Sequence, residues 1–353
     1  METKPADILS IEKSTRQHGL RVVAIGGGTG LSTLLKGLKL FAPNPAELTA
    51  ASFAPPVISD LCAVVTVSDD GGSSGRLRKE FNMLPPGDVR NCIVALSEDE
   101  ALLSRLFRHR FGKGSGLEGH SFGNLFLAAL TDITHDFSEA VRLSSEVLVT
   151  RGHIFPATTS NIELEAVMED GTRVRGETKI TASKGRIREL ILVPANVEPL
   201  PQTLEAIAHA DIISIGPGSL FTSLIPNLLV EGIADAIVAS SATKVYICNL
   251  MTQANESLGL TAADHIRALN RHARQRIFDY ALINRAPVSD ELKAKYASEG
   301  ACQIVADLDT IEALGVIPVL GDYLEEAAVA RHNAAHVARD MLHLASAENP
   351  RKQ

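Results

Sequence analysis

Two glycine-bearing turns, each between an apolar strand-like run and an amphipathic segment, are the parts of this chain best suited to phosphate chemistry. In VVAIGGGTGLSTLLKGL, Gly26, Gly28 and Gly30 would let backbone N–H groups approach an anion at a helix amino end. SIGPGSLFTSLIPNLL repeats the order, with Gly216 and Gly218 around Pro217, hydroxyls from Ser219 and Thr222, and the Asn227 amide. A phosphate-bearing ligand at a sheet switch point would need both turns side by side. Neither turn is a dinucleotide fingerprint. Leu31 stands where G-x-G-x-x-G has its last glycine, and a proline-rich stretch replaces the strand-ending acid. No Gly-Lys-Ser/Thr of a P-loop follows either.

Three further loops carry polar groups of the right kind. In VSDDGGSSGRLR, Ser73, Ser74 and Arg76 suit ribose or phosphate oxygens, while Asp69 and Asp70 suit either the ligand or a hydrated Mg²⁺. In LPPGDVRNCIVAL, Asp88 reads as the cap of a helix whose first turn presents Arg90 and Asn91. In GLEGHSFGNLFLAAL, His120, Ser121 and Asn124 open a strongly apolar helix. There is no H-E-x-x-H and no G-x-S-x-G, so no catalytic residue is assigned and binding is better supported than turnover.

The elements that must position these loops alternate. Strand-like residues 20–25 lead to a helix from Leu31 to Leu40 with Leu31, Leu34, Leu35 and Leu38 on one face, and LCAVVTVSDD reads as the next strand. The proline-bearing stretch 41–60 reads as irregular, and residues 88–110 and 121–149 as an added helical block. Alternation, an Asp-Gly turn and glycine breaks predict an antiparallel hairpin excursion at about 160–193. The α/β rhythm then resumes through PQTLEAIAHA (helix), DIISIGPGS (strand), LIPNLLVEGIADAIVAS (helix), KVYICNLM (strand) and 261–280 (helix), with 320–345 as a last helical segment. The expected fold is α/β with a mostly parallel sheet under helices. The division expected is a polar extension over 1–19, one domain over 20–345 and a frayed tail over 346–353.

Composition narrows the function classes. A net charge of -8 argues against nucleic acid or an anionic membrane as a general partner. No run predicts a membrane span or signal peptide, and Cys62, Cys92, Cys248 and Cys302 are spaced as buried free thiols, not as disulfides or a zinc site. These features read as a soluble, cytoplasmic protein.

Taken in order, VVAIGGGTGLSTLLKGLK, AVVTVSDDGGSSGRLR, LPPGDVRNCIVAL, GHSFGNLFLAAL, ATTSNIELEA, DIISIGPGSLFTSLIPNLLVEGIADAI and VYICNLMTQ resemble the YvcK-type gluconeogenesis factors of bacteria over about residues 20–330. The wider family is similar to CofD, the 2-phospho-L-lactate transferase of coenzyme F420 synthesis. The resemblance implies a Rossmann-like three-layer α/β/α core in the cytoplasm that binds a UDP-sugar such as UDP-N-acetylglucosamine. It also implies homo-oligomers, often dimers, and a role in cell shape and wall synthesis during gluconeogenic growth, with cell-wall regulatory proteins as partners. On this resemblance Gly27, Gly28, Thr29 and Gly30 face the diphosphate, and Asp69, Asp70, Asn91, His120, Asn124 and Gly218 are pocket residues. The alternative it carries is a transferase in which Asp69 and Asp70 hold a divalent metal. A nicotinamide-linked oxidoreductase is a weaker third reading. One departure is visible: the family usually has Pro-Gly-Glu-Thr after NLMTQ, where this chain has Ala254-Asn255-Glu256-Ser257, which predicts a different turn.

Overall fold

The computed structural model describes residues 19–43, 57–97 and 102–346. All but residue 19 of the polar extension, residues 44–56 of the proline-bearing stretch and all but residue 346 of the tail lie outside them. In chain order the strands are β1 (Leu20–Gly26), β2 (Ile58–Val65), β3 (His153–Pro156), β4 (Glu163–Met168), β5 (Arg173–Arg175), β6 (Ile187–Val193), β7 (Ile212–Ile215), β8 (Thr243–Ile247), β9 (Tyr280–Asn284), β10 (Ile317–Gly321), β11 (Leu324–Glu326) and β12 (Ala330–His332). The helices of the first half are α1 (Gly28–Lys39), α2 (Gly72–Phe81), α3 (Gly87–Leu96), α4 (Leu102–Arg108), α5 (Phe122–Thr134), α6 (Phe137–Val147) and α7 (Glu177–Ala182). Those of the second are α8 (Pro201–His209), α9 (Ile225–Leu228), α10 (Ile233–Ala239), α11 (Ala262–Ala273), α12 (Asp290–Ala297), α13 (Leu308–Ala313) and α14 (Ala334–Ser346).

Seven strands form one sheet in the order β10-β9-β8-β7-β1-β2-β3, with parallel pairings throughout. Covered by helices, it is the Rossmann-like three-layer arrangement expected. Central strands are apolar without alternation because both faces are buried: Val22, Val23, Ala24 and Ile25 of β1 are each at most 2% exposed. Leu31, Leu34, Leu35 and Leu38 turn the buried stripe of α1 inward as their spacing requires. α14 packs against α1 at Gly37, where a Cβ would sit 2.0 Å from the Ala334 carbonyl oxygen.

The excursion is a three-stranded antiparallel sheet, β5-β4-β6, with Gly171 of the Asp-Gly turn at φ 87°. One tether to the body is His272 on α11. Nε2 accepts from the Leu190 backbone N–H at 3.0 Å and Nδ1 donates to the Ala268 carbonyl at 2.7 Å. That pairing requires a neutral ring, and burial lowers its pKa accordingly.

The added helical block is present as α3 to α6 among the described residues. Several other expectations are corrected. α7 interrupts the excursion. Residues 320–332 are strand and hairpin, so the last helix begins only at Ala334. The short period of LEE and ARH is too brief to separate from a helix by pattern. LIPNLLVEGIADAIVAS is not continuous: a π-helical turn at Leu220–Leu224, Pro226, and Gly232 at φ 78° divide it. The 41–60 stretch ends in β2, which already begins at Ile58. Cys62, Cys92 and Cys248 are buried free thiols, whereas Cys302 is exposed. Among the described residues no single helix is long and apolar enough to cross a membrane.

The α1–α14 crossing sets two effects against each other in Gly37→Ala. Helix propensity favours alanine by about 1 kcal/mol, but the clash forces the helices apart at about 1–3 kcal/mol. Urea unfolding is expected to show net destabilisation.

Candidate functional site

The two glycine turns meet. β1 and β7 are adjacent, with Ile25 opposite Ile215, so the loops that follow them leave the sheet side by side where the strand order reverses. Gly30 brings the first turn of α1 onto the second loop. A Cβ there would lie 2.2 Å from the Pro217 carbonyl oxygen and 2.9 Å from Gly218 Cα. Gly28 is left-handed, at φ 60°. Asn249, just past β8, holds the second loop by donating to the Gly218 carbonyl at 2.7 Å and accepting its N–H at 3.1 Å.

Glu256 supports that loop from beneath. Its buried carboxylate accepts the N–H groups of Phe221 and Thr222 at 2.8 and 3.0 Å, at the start of the π-helical turn. The turn that brings Glu256 there has Asn255 at φ 61°. Asparagine is one of the few residues besides glycine that take this left-handed conformation readily.

A cleft of about 540 Å³ opens over these loops. Gly27, Gly28, Thr29, Gly30, Pro217, Gly218, Ser219, Thr222 and Ser223 form its floor. On the β2 side stand Asp69, Asp88, Glu177 and Thr181; on the β8 side, Asn249, Leu250, Met251, Thr252 and Gln253, with Tyr296, Ala330 and His332 beyond. No lysine or arginine lines it among the described residues. His332 adds no positive charge at neutral pH, because burial lowers its pKa to about 4 while its Nε2 pairs with the Cys248 carbonyl.

The acidic side holds a proton at Glu177 instead. Burial, then the neighbouring Asp69, Asp88, Asp70 and Glu256, pushes Glu177 up to about 9. Burial raises Asp88 to about 6, opposed by the Gly28 N–H that its carboxylate accepts. Asp88 is therefore not the expected helix cap. The N-cap of α3 is Pro86, no side chain caps that helix, and Asp88 braces the first glycine loop.

Of the residues singled out by sequence, Gly27, Gly28, Thr29, Gly30, Asp69, Asp88, Pro217, Gly218, Ser219 and Thr222 line the cleft. The others do not appear in its wall. Asp70 accepts from the Thr178 N–H at 2.9 Å and hydroxyl at 2.6 Å, pinning α7, and so pins the helix that brings Glu177 and Thr181 in. Ser73, His120 and Asn124 form a buried knot: Ser73 Oγ lies 2.9 Å from His120 Nδ1 and accepts from Asn124 Nδ2 at 3.1 Å. Arg76 donates to the Glu118 carbonyl, and Arg90 to Asn91 Oδ1. Gly216, at φ 92°, shapes the turn: a Cβ there would meet the Ile247 carbonyl at 2.7 Å. Sequence reading did not place Glu177, Thr181, Asn249, Tyr296 or His332 here. Of these only Asn249 carried a signal, as a polar residue directly past an apolar strand.

The Mg²⁺ of the transferase alternative is not met by Asp69 and Asp70 together. Asp69 Oδ1 accepts the Gly71 N–H at 2.8 Å, and Asp70 is engaged with Thr178. Among the described residues no group of three or more His, Cys, Asp or Glu is arranged to hold a metal ion.

The raised Glu177 pKa predicts a pH-dependent stability. The folded state holds the proton more tightly than the unfolded, whose pKa is near 4.5. Its stabilising effect is complete below that value and is lost as pH rises toward about 9. Glu177→Gln is expected to gain stability over the unaltered chain at pH 9 compared with pH 5, as followed by urea unfolding.

Comparisons with known proteins identify the family of the chain. The family model described as "2-phospho-L-lactate transferase CofD" matches residues 22–324. A gluconeogenesis factor of Halalkalibacterium halodurans is 51% identical over 323 residues, covering 91% of this chain and 95% of that protein. One from Bacillus subtilis is 48% identical over 296 residues, 84% of this chain and 88% of its own. A crystal structure of a Bacillus halodurans protein superposes with a TM-score of 0.85 at 50% identity, covering 92% of this chain and 99% of that one. By a family match over most of its length and by these identities, the chain belongs to the CofD-like family, among its gluconeogenesis factors.

Proposed function

We propose that the cleft binds a nucleoside diphosphate sugar of the UDP-N-acetylglucosamine type, and that the protein acts as a cytoplasmic regulator of cell shape and wall synthesis during gluconeogenic growth. One observation carries the ligand class: two glycine turns on adjacent parallel strands at the switch point, with backbone N–H groups at a helix amino end and a polar cleft above. The regulatory role rests on the gluconeogenesis-factor name of the relatives. Homo-oligomers and cell-wall regulatory partners belong to the same reading. The family model's name supports the alternative, transfer of a phosphate-linked group from a nucleotide-linked donor to an alcohol.

The test is titration calorimetry with UDP-N-acetylglucosamine, with and without Mg²⁺, followed by chemical analysis of the recovered ligand. Binding with the ligand intact is expected; conversion of the ligand transfers the assignment to the transferase. Gly28→Ala is expected to weaken binding about tenfold, matching the roughly 1–2 kcal/mol a Cβ adds to a left-handed residue. Unchanged affinity removes the first glycine loop from the site.

A further inference from the structure

α5 turns an apolar face to solvent. Its buried face carries Gly123, Asn124, Leu127 and Ala128, while Phe122, Leu125, Phe126, Ala129 and Ile133 follow one another at helical spacing on the opposite face, and none of them is buried. Ile133 is 73% exposed. α4 lies alongside, with the Phe107 ring 6.0 Å from that of Phe122 and 5.0 Å from that of Phe126, and leaves Leu102, Leu103 and Leu106 in solvent. A surface helix ordinarily keeps its polar side outward, and an apolar patch that spans two helices marks contact with another molecule.

The charges beside the patch indicate which molecule. Arg105 and Arg108 are on α4, whose carboxyl end meets the amino end of α5 where the Phe122 N–H donates to the His109 carbonyl at 2.9 Å. Asp132 and Asp136 stand at the carboxyl end of α5, and all four side chains are exposed. The patch is therefore cationic at one end and acidic at the other. Resting on the homo-oligomer of the reading above, we propose that a second copy of the chain packs on this face, α5 against α5 in antiparallel about a two-fold axis. That arrangement sets the arginines of each copy against the aspartates of the other and aligns the two helix dipoles favourably. Parallel helices would bring like charges together, and an anionic lipid surface would meet the aspartates as well as the arginines.

Sedimentation velocity of the unaltered protein without ligand, at micromolar concentrations, is expected to show a dimer. Ile133→Glu puts a charge into the apolar contact and should weaken dimerisation about tenfold or more. Arg105→Glu and Asp132→Arg should each weaken it, because each sets like charges against one another across the axis, and the double variant should recover it. Within one chain the two residues form no ion pair among the described residues, so that recovery reports a contact between copies. All three positions are exposed in the single chain, and circular dichroism should be the same for every variant. Three results overturn the assignment. A dimer that survives in Ile133→Glu keeps the homo-oligomer but moves its contact to another face. A double variant no better than the single ones removes the antiparallel pairing. An unaltered protein that stays monomeric ends the homo-oligomer with the proposal, and one that then pellets with phosphatidylglycerol vesicles gives the face to lipid. None of these results bears on nucleotide binding, which the calorimetry reads separately.

Discussion

The site depends on one close approach of backbone to backbone. The first turn of α1 rests on the loop after β7 at a distance that excludes a side chain at Gly30, whose Cβ would fall 2.2 Å from the Pro217 carbonyl. Because of that contact the two loops make one continuous floor. The surrounding polar network follows from it. Asn249 clamps Gly218, Glu256 takes up the N–H groups of Phe221 and Thr222, and Asp88 takes up that of Gly28. Glycine is therefore needed at Gly30 for packing, and at Gly28 for its left-handed backbone.

For the anion site proposed, the electrostatics of the floor are unusual. Backbone dipoles supply the positive end, and no cationic side chain lines the cleft among the described residues. Carboxyl groups stand close on one side, and burial together with mutual repulsion keeps Glu177 protonated at neutral pH. A protonated carboxyl donates a hydrogen bond where a carboxylate would only repel. On the proposed reading, this lets an acidic wall and an anionic ligand share one cleft without a lysine or arginine between them.

Much of this was legible in the sequence. The apolar runs before Gly26 and Gly216 mark fully buried parallel strands, and the leucine spacing of α1 marks its inward face. Local rules therefore located both loops and the floor residues Gly27 to Gly30, Gly218 and Ser219. They did worse where a side chain serves a distant partner. Asp88 sits where a cap would be, yet it reaches to Gly28; Asp70 looks like a ligand group, yet it holds Thr178, 108 residues away. Ser73, His120 and Asn124 carry the residue types of a binding site but bond to one another in the interior. Glu177, Tyr296 and His332 belong to elements that come over the cleft only through the tertiary fold, and no spacing rule links them to Gly28.

The wall of the cleft is drawn from Gly27 at one end of the described chain to His332 near the other. Such a site closes only after contacts between segments some three hundred residues apart have formed, the slow kind of contact in folding. A nascent chain still lacking its last hairpin has the glycine floor without the far wall. Competence to hold a ligand is thus acquired late in synthesis, and a ligand held by the finished wall stabilises the assembled chain by mass action.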